Sequence, residues 1–513
     1  MRLRTAFCAT ALAVAASSPA LAGKDDDTFT WSTSTEIGTA DIYYGNLREV
    51  LINAYAMCDS LVYRDPKTNE YEPLLATSWN WTDDKTLELK LREGVKFHDG
   101  TDFDAEDVAY TLNTVAAPGS DMQFRLIVDW IDNVEVVDPQ TVRIHAKAPT
   151  PAALEYLTGT MPIYPSGHYD GAPEVPAADG KTRKDYGAVQ PVCTGPYKMT
   201  DFQAGQSLTL EKNPEYFDGS PKGKPQIGKI VFRTIKDTET QIAELMTGGI
   251  DWMWGVAPEN ADLLSQAPNI DVVSAATMRM SFLALDAGGR TGDTPFKKEK
   301  VRQAIAHAID RESLSKNLVG AGSAVLKSFC APVQAGCDTD VKQYDYDPDE
   351  AKKLLAEAGY PDGFKTTFYA YRDRPYTEAV LNYLRAVGIQ TDLQFLQWGA
   401  LRPHIVGDDT PIAQLTWGSN GMLDVSASTS HYFEFGPDDY ARDPQVRDWL
   451  VKADSTTDKA ERKDLYSKAL NRIADQALYI PLFLYGRTYA YNSDFTYPVT
   501  DDEMAHFYLG EWK

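Results

Sequence analysis

The stretch KFHDGTDFDAEDVAY, residues 96–110, gathers the side chains that most readily do chemistry: His98, Asp99, Asp102, Asp104, Glu106 and Asp107. Such a density would suit a metal site or a carboxylate pair for acid–base work. A calcium loop needs oxygen ligands at alternating positions and a glycine at its sharp turn. Asp102, Asp104 and Glu106 meet the first condition, but Asp107 stands where the glycine must be. His98 has no second imidazole at ligand spacing. A local reading accounts for the cluster instead. Asp104 is placed to cap a helix running through VAYTLNTV, Asp107 follows three residues on, and Phe103 and Val108 have hydrophobic-staple spacing. Val108, Leu112 and Val115 then share one helix face. The cluster is expected to start a helix rather than to catalyse.

No other chemistry announces itself. GxSxG, HExxH and the phosphate-binding loop are all missing from the sequence. A triad scattered along the chain would leave no such mark, so a secreted hydrolase stands as the distant alternative. The seven histidines form no ligand-spaced pair, which argues against nickel or haem cargo and calls for no cofactor. The segment CAPVQAGC holds six residues between Cys330 and Cys337 and would close easily as a disulfide; the rival zinc site lacks a C-x-x-C and a nearby His. Pairing of Cys58 with Cys193 follows by elimination, Cys8 falling in the leader.

That leader is MRLRTAFCATALAVAASSPALA. Arg2 and Arg4 precede a short apolar run, and Ala20-Leu21-Ala22 is a small-x-small site, so cleavage is expected after Ala22 and export follows. Gly23 rather than Cys comes next, against a lipid anchor, and no later run is long enough to span a membrane. Lys and Arg number 50 against 74 Asp and Glu, a formal charge of −24, and no basic stripe offsets it; phosphate backbones would repel such a chain, which excludes nucleic acid as partner.

The elements that must position any site are well punctuated. TFTWSTS reads as a first strand and LREVLINAYAMCDSLV as a helix. TLELKL alternates as a half-solvated strand after the turn TDDK. Hairpins are expected around Asp138-Pro139-Gln140 and Gln203-Ala204-Gly205-Gln206. KIVFRTIKDTETQIAELMTGGID reads as a strand followed by a short helix. YDPDEAKKLLAEAGYPDGF is a helix capped by Asp347, with Pro348 in its first turn, Glu350 completing the box and Gly359 ending it. A chain of 513 residues allows two to four domain-sized units, and antiparallel hairpins mixed with βαβ-like units point to α/β domains folded together.

These segments resemble a known family. LATSWNWTDDKTLELKLREGVKFHDGTDFDAEDVAYTL is similar to the signature of family 5 extracellular solute-binding proteins, the peptide- and nickel-binding components of ABC importers. TGPYKM, NPEYFDGSPKGKPQI, VRQAIAHAIDRESL and VGIQTDLQFLQW extend the likeness in order along 28–513. The resemblance implies a two-lobed periplasmic-binding-protein clamp of the large, three-part form with mixed sheets. Lobe one would hold 27–57, 190–282 and 487–513, an extra subdomain 58–189, and lobe two 283–486, with crossovers near 281–286 and 479–487. Cys58 and Cys193 would then both lie at the border of lobe one and the subdomain. It further implies a periplasmic binding protein, not an enzyme, working as a monomer that delivers its ligand to a membrane-embedded ABC permease.

Ligands of α/β lobes sit beyond the carboxyl ends of strands. The candidates are Glu36 and Trp254 in lobe one, and Tyr371, Arg374, Trp398 and Trp417 to Asp424 in lobe two. RDRPY looks similar to the segment whose arginine grips the ligand carboxylate in dipeptide-binding relatives, which would make Arg374 a bidentate clamp; the competing reading is a salt bridge with Asp373 or Glu378. Peptide-binding relatives commonly place an aspartate three residues after the tryptophan matching Trp417, to meet the peptide's ammonium. Here that position is the neutral Asn420, with Asp424 a possible stand-in from a shifted loop. The expected ligand is a small peptide or peptide-like carboxylated solute, or alternatively an opine or other amino-acid conjugate lacking a free amine.

Overall fold

The strand foreseen in TFTWSTS is Thr28–Thr33, and nearly all of it is buried. It pairs in parallel with Lys229–Thr234 and Trp252–Trp254, and parallel strands are normally covered on both faces. The hairpin Tyr197–Gln203 and Ser207–Lys212 extends this sheet on one side. On the other side two long antiparallel strands, Ile270–Leu285 and Tyr479–Asn492, carry it into the second half of the molecule, where Ile412–Trp417, Phe364–Ala370 and Ile389–Phe395 continue it. The first half packs around Phe29, Trp31, Phe232 and Trp252. The second half has its own cores, one around Phe282, Tyr432 and Tyr479 and one around Leu285, Ile305 and Leu384. The chain is thus a two-lobed α/β clamp with mixed sheets, seen in a computed structural model that describes residues 23–45, 47–176, 181–500 and 502–513. The expected leader, 1–22, lies outside the described residues.

A separate antiparallel sheet orders Ala76–Asp83, Thr86–Leu91, Thr141–Ala146 and Ile131–Asp138. The helix Ala105–Ala116 covers it with Val108, Leu112 and Val115, all fully buried. Its start is a reciprocal cap: the Asp104 carboxylate accepts the Glu106 N–H at 2.8 Å, and Asp107 accepts the Asp104 N–H at 2.8 Å. The His98 ring meets the Gly195 carbonyl at 3.0 Å. Among the described residues no group of three metal-ligating side chains comes together, and no helix is long and apolar enough to cross a membrane.

Two disulfides close, Cys58–Cys193 and Cys330–Cys337. The first ties residues 135 apart, so it restricts a long loop of the unfolded chain. The double variant Cys58→Ala/Cys193→Ala is expected to lose about 2–5 kcal/mol of stability in denaturant unfolding; a loss below about 1 kcal/mol would contradict that account.

Beyond the first strand, Asp41 is wholly buried and accepts hydrogen bonds from the Tyr169 hydroxyl at 2.7 Å and the Tyr43 N–H at 2.8 Å. Burial outweighs these donors and pushes its carboxyl up to about 7. An unfolded Asp titrates near 3.9, so the folded state holds the extra proton between those values. Stability should therefore fall as pH rises from about 4 to about 7 and change no further above that. Asp41→Asn should flatten this part of the stability–pH curve by up to one proton's slope, about 1.4 kcal/mol per pH unit. Parallel curves for the two proteins would refute the assignment.

Candidate functional site: an arginine cluster between the lobes

The two long strands pair as Ala275↔Arg487 and Ala276↔Gly486, and the register resumes at Met280↔Leu484. Residues 277–279 therefore bulge opposite Tyr485, pinned by the Thr277 hydroxyl donating to the Tyr485 carbonyl at 2.8 Å. Bulges bend a strand and re-aim its side chains. A glycine is required opposite: a Cβ on Gly486 would lie 2.1 Å from the Ala321 carbonyl oxygen. Arg279 leaves the bulge and Arg487 leaves the strand just beyond it, at the point where the sheet passes from one lobe to the other.

Both guanidiniums converge on Glu503, whose side chain is 2% exposed. Arg279 Nη2 lies 3.7 Å from Oε2 and Arg487 Nη2 lies 3.8 Å from Oε1. Arg48, the first residue of the helix Arg48–Met57, pairs directly with Oε2. Burial would raise the Glu503 carboxyl, but Arg48, Arg279 and Arg487 outweigh it and hold it below its usual range. Arg48 itself is lowered to about 10: burial depresses it, Glu503 opposes, and Arg487 and Arg279 add repulsion. Three cations thus surround Glu503, with Glu49 a further carboxylate acting on Arg48. Among the described residues the buried Nε atoms of Arg279 and Arg487, and the buried Oε1 of Glu503, have no hydrogen-bond partner. Their side chains remain 18% and 20% exposed. Trp254 is sandwiched, with the Arg48 and Arg487 guanidinium carbons 5.3 and 4.9 Å from its ring. From the strand end after Ile412–Trp417, Gly418 comes so close that a Cβ there would sit 2.6 Å from Arg279 Nη2.

The loop 418–424 is held from both sides. Within its own lobe, Gln334 Nε2 donates to Ser419 Oγ at 3.0 Å and to the Met422 carbonyl at 3.1 Å. Gln334 lies inside the loop closed by Cys330–Cys337, so that disulfide buttresses 418–424. From the other half of the molecule, Glu155 Oε1 accepts the Leu423 N–H at 2.8 Å and Arg64 Nη1 donates to the Gly421 carbonyl at 3.1 Å. Arg64 also pairs with Glu155 and, at 3.2 Å, with Asp502.

The sequence candidates divide. Trp254 belongs to the cluster. Trp417 is close to it through Gly418, with its Nε1 donating to the Ala427 carbonyl at 2.8 Å and its ring stacked on His431 at 4.5 Å. Asn420 lies in the turn Ser419–Gly421 of the same loop. Tyr371 and Trp398 pack on each other at 5.0 Å, with Trp398 46% exposed.

The others point elsewhere. Arg374 opens the helix Arg374–Ala386 and, 60% exposed, donates to Glu378 at 2.8 Å one turn on. That is the salt-bridge reading, favoured because a helix brings residues four apart onto one face. Glu36 faces solvent and pairs with Lys236 at 2.6 Å. Asp424 is not a stand-in for the missing aspartate. Arg462 grips both its oxygens at 2.8 Å, and the Ser426 N–H and hydroxyl donate to Oδ1 as well. Arg48, Arg279, Arg487 and Glu503 escaped the sequence reading. The one signal available was a single basic residue in each of two mostly apolar segments, MRMSFLALD and FLYGRTYAY; Glu503 left none.

Comparison with known proteins agrees with this architecture. The profile for bacterial extracellular solute-binding proteins, family 5, matches residues 70–439. The glutathione-binding protein GsiB of Escherichia coli (strain K12) is 29% identical over 446 residues, 84% of each chain. The dipeptide-binding protein of Pseudoalteromonas sp. SM9913, solved with Met-Leu, superposes with a TM-score of 0.78 at 22% identity over 95% of this chain and 100% of that one. The binding protein DppA of Helicobacter pylori, solved with the peptide STSA, gives 0.77 at 25% identity over 96% of this chain and 98% of that one.

Proposed function

From the premise that this chain belongs to family 5 of the bacterial extracellular solute-binding proteins, and is a binding protein and not an enzyme, we propose that it captures a small peptide or peptide-like carboxylated solute between its lobes. It then delivers that solute to a membrane-embedded ABC permease. We further place it in the periplasm as a monomer, after removal of a leader at Ala22, and divide it as 27–57, 190–282 and 487–513 for lobe one, 58–189 for the subdomain and 283–486 for lobe two.

One observation carries the ligand chemistry. Arg279 and Arg487 stand at the passage between lobes with buried Nε groups that no acceptor among the described residues meets, and with Nη2 groups 3.7 and 3.8 Å from Glu503, beyond hydrogen-bond distance. A planar guanidinium matches a carboxylate with two parallel bonds. The grip expected of Arg374 thus passes to the Arg48–Arg279–Arg487 cluster, with Trp254 and the 418–424 loop as neighbouring walls. Arg279 and Arg487 ride on strands shared by both lobes while Gly418 belongs to lobe two. A ligand bridging them gains most of its contacts only when the clamp is shut, and that difference is what shifts the clamp toward the closed form. The names of the relatives, a glutathione binder and peptide binders, support the solute class.

The test is thermal unfolding of the 23–513 chain with peptides, N-acylated peptides and divalent metals. Carboxylated solutes should raise the melting temperature with concentration, by about 2.7 kcal/mol of added stability at a hundredfold excess over Kd. A shift with metals alone, or none with any carboxylated solute, would refute the assignment.

A further inference from the structure

The residues between Cys330 and Cys337 act as a template for 418–424. Pro332, Val333 and Ala335 are exposed, but Gln334 is buried. The closed loop fixes Gln334 from inside. Its N–H donates to the Ala331 carbonyl at 2.9 Å, its Oε1 accepts the Ala331 N–H at 3.0 Å, and its carbonyl accepts the Cys337 N–H at 3.0 Å. Gly336, at φ +89°, lets the turn lie against Val425 and the Tyr466 ring, where a Cβ would come within 2.9 Å of each. Outward, Gln334 Nε2 donates to Ser419 Oγ, to the Met422 carbonyl and, at 3.3 Å, to the Asp424 carbonyl. Two backbone bonds run alongside: the Ala335 N–H to the Leu423 carbonyl at 2.6 Å, and the Val425 N–H to the Ala335 carbonyl at 3.1 Å. Ser419 sits at φ +52°, a left-handed conformation that a residue other than glycine keeps only where its surroundings enforce it. Gln334 and, at 3.0 Å, the Ser428 hydroxyl hold its side chain. Its neighbour Gly418 is the residue set against Arg279.

The two disulfides differ in access. Cys58, Cys193 and Cys330 are buried, whereas Cys337 is only half-buried. Exchange begins with a thiolate reaching a sulfur, so the exposed member of a pair is where it starts. We propose that Cys330–Cys337 is a thiol-exchange site whose redox state sets ligand affinity, with Gln334 as the positioning residue that carries the effect to 418–424. The proposal rests on the reading of 418–424 as a wall of the ligand site. The reductant is a dithiol. Its thiolate attacks the Cys337 sulfur, the Cys330–Cys337 bond breaks, and Cys330 leaves as a thiolate that takes up a proton. The second thiol of the reductant, deprotonated, then displaces Cys337, which is protonated in turn, and the reductant departs as a cyclic disulfide. Two electrons and two protons end on the protein. The opened segment is no longer tied at both ends, and Gln334 loses the frame that aims it. The two backbone bonds hold Leu423 and Val425 rather than Ser419. Ser419 is then free to relax to an ordinary φ, which moves Gly418 from its place against Arg279. The oxidised protein is the high-affinity form.

Reduction of the 23–513 chain with dithiothreitol tests this, the freed thiols being alkylated and mapped by mass spectrometry. Cys330 and Cys337 should be labelled about tenfold or more faster than Cys58 and Cys193. Cys330→Ser/Cys337→Ser reproduces the opened loop without reductant. In that variant the amides of 419–425 are expected to exchange with deuterium about tenfold faster than in the oxidised wild type, with the helix Ala105–Ala116 unchanged. Ala-Ala and N-acetyl-Ala-Ala, titrated calorimetrically, report affinity. Whichever binds the oxidised wild type should bind the serine variant about fivefold or more weakly, as the competent form of the loop becomes less populated. Gln334→Met should bind weakly in both redox states, with less than about twofold between them, because the cystine then has nothing to aim. Equal labelling of the two pairs, unchanged exchange at 419–425, equal affinity of serine variant and wild type, or a full redox effect in Gln334→Met would overturn the proposal and leave the carboxylated-solute reading standing. No binding of either peptide in any form would overturn both.

Discussion

Replacing Arg279 and Arg487 together by glutamine is expected to weaken binding by about 10²- to 10⁴-fold in calorimetric titration with a carboxylated solute that shifts the melting temperature. Each guanidinium–carboxylate contact is worth roughly 1.5–3 kcal/mol, and every 1.4 kcal/mol is tenfold in Kd. Glutamine keeps much of the side-chain length and one donor group, so the loss reports charge and bidentate geometry rather than a hole. The fold should survive. Among the described residues the Nε of neither arginine has a hydrogen-bond partner, and Glu503 keeps its direct partner Arg48. The melting temperature of the free variant should therefore stay near that of the wild type, separating lost binding from lost structure. Arg374→Gln is the contrast: its exposed pair with Glu378 predicts affinity unchanged within about twofold. Wild-type affinity in the double variant, or loss of binding on changing Arg374 alone, would return the grip to lobe two.

Arg64→Leu should cost about 3–5 kcal/mol in urea unfolding, the usual result of stripping one partner from a buried charge cluster. Glu155 and Asp502 would stay buried with less compensation, and the Gly421 carbonyl would lose its donor. Leucine fills part of the space, so the effect is electrostatic more than a cavity. Adding Glu155→Met should restore part of the loss, because removing both members of a buried pair is often close to neutral. His506 still faces Asp502 in that double variant. A single variant within about 1 kcal/mol of wild type would mean that water already reaches these carboxylates. Because Arg64 and Glu155 hold the backbone of 418–424 from the other half of the molecule, Arg64→Leu should also weaken ligand binding through that loop.

Much of the fold could be read along the chain because it depends on neighbours in sequence. Asp104 caps a helix whether or not the rest of the protein is present, since its acceptor and the orphan N–H groups lie within one turn. The same holds for Asp347, which accepts the Asp349 and Glu350 N–H groups. The hairpins closed at 139–140 and 204–206 follow from turn residues between alternating strands. Length, acidic balance and cysteine spacing narrowed the class of molecule in the same way.

The site was not readable by those means. Arg374 occupied the right kind of position beyond a strand, but the helix it begins carries Glu378 to its side, and the nearer partner takes it. Asp424 was lost to Arg462, a residue on a helix 38 positions away in sequence. The local sequence thus determined where elements begin and end and, through its likeness to a family, the clamp they build. Only the tertiary structure decided which charges meet. Arg279 and Arg487 become neighbours because two strands far apart in sequence pair with a three-residue bulge between them, and Arg48 and Glu503 come from opposite ends of the chain. Capping and periodicity act over a few residues and survive in a fragment; the pairing or surplus of buried charge depends on every charged group the fold brings within a few ångströms, and no window of sequence contains that sum.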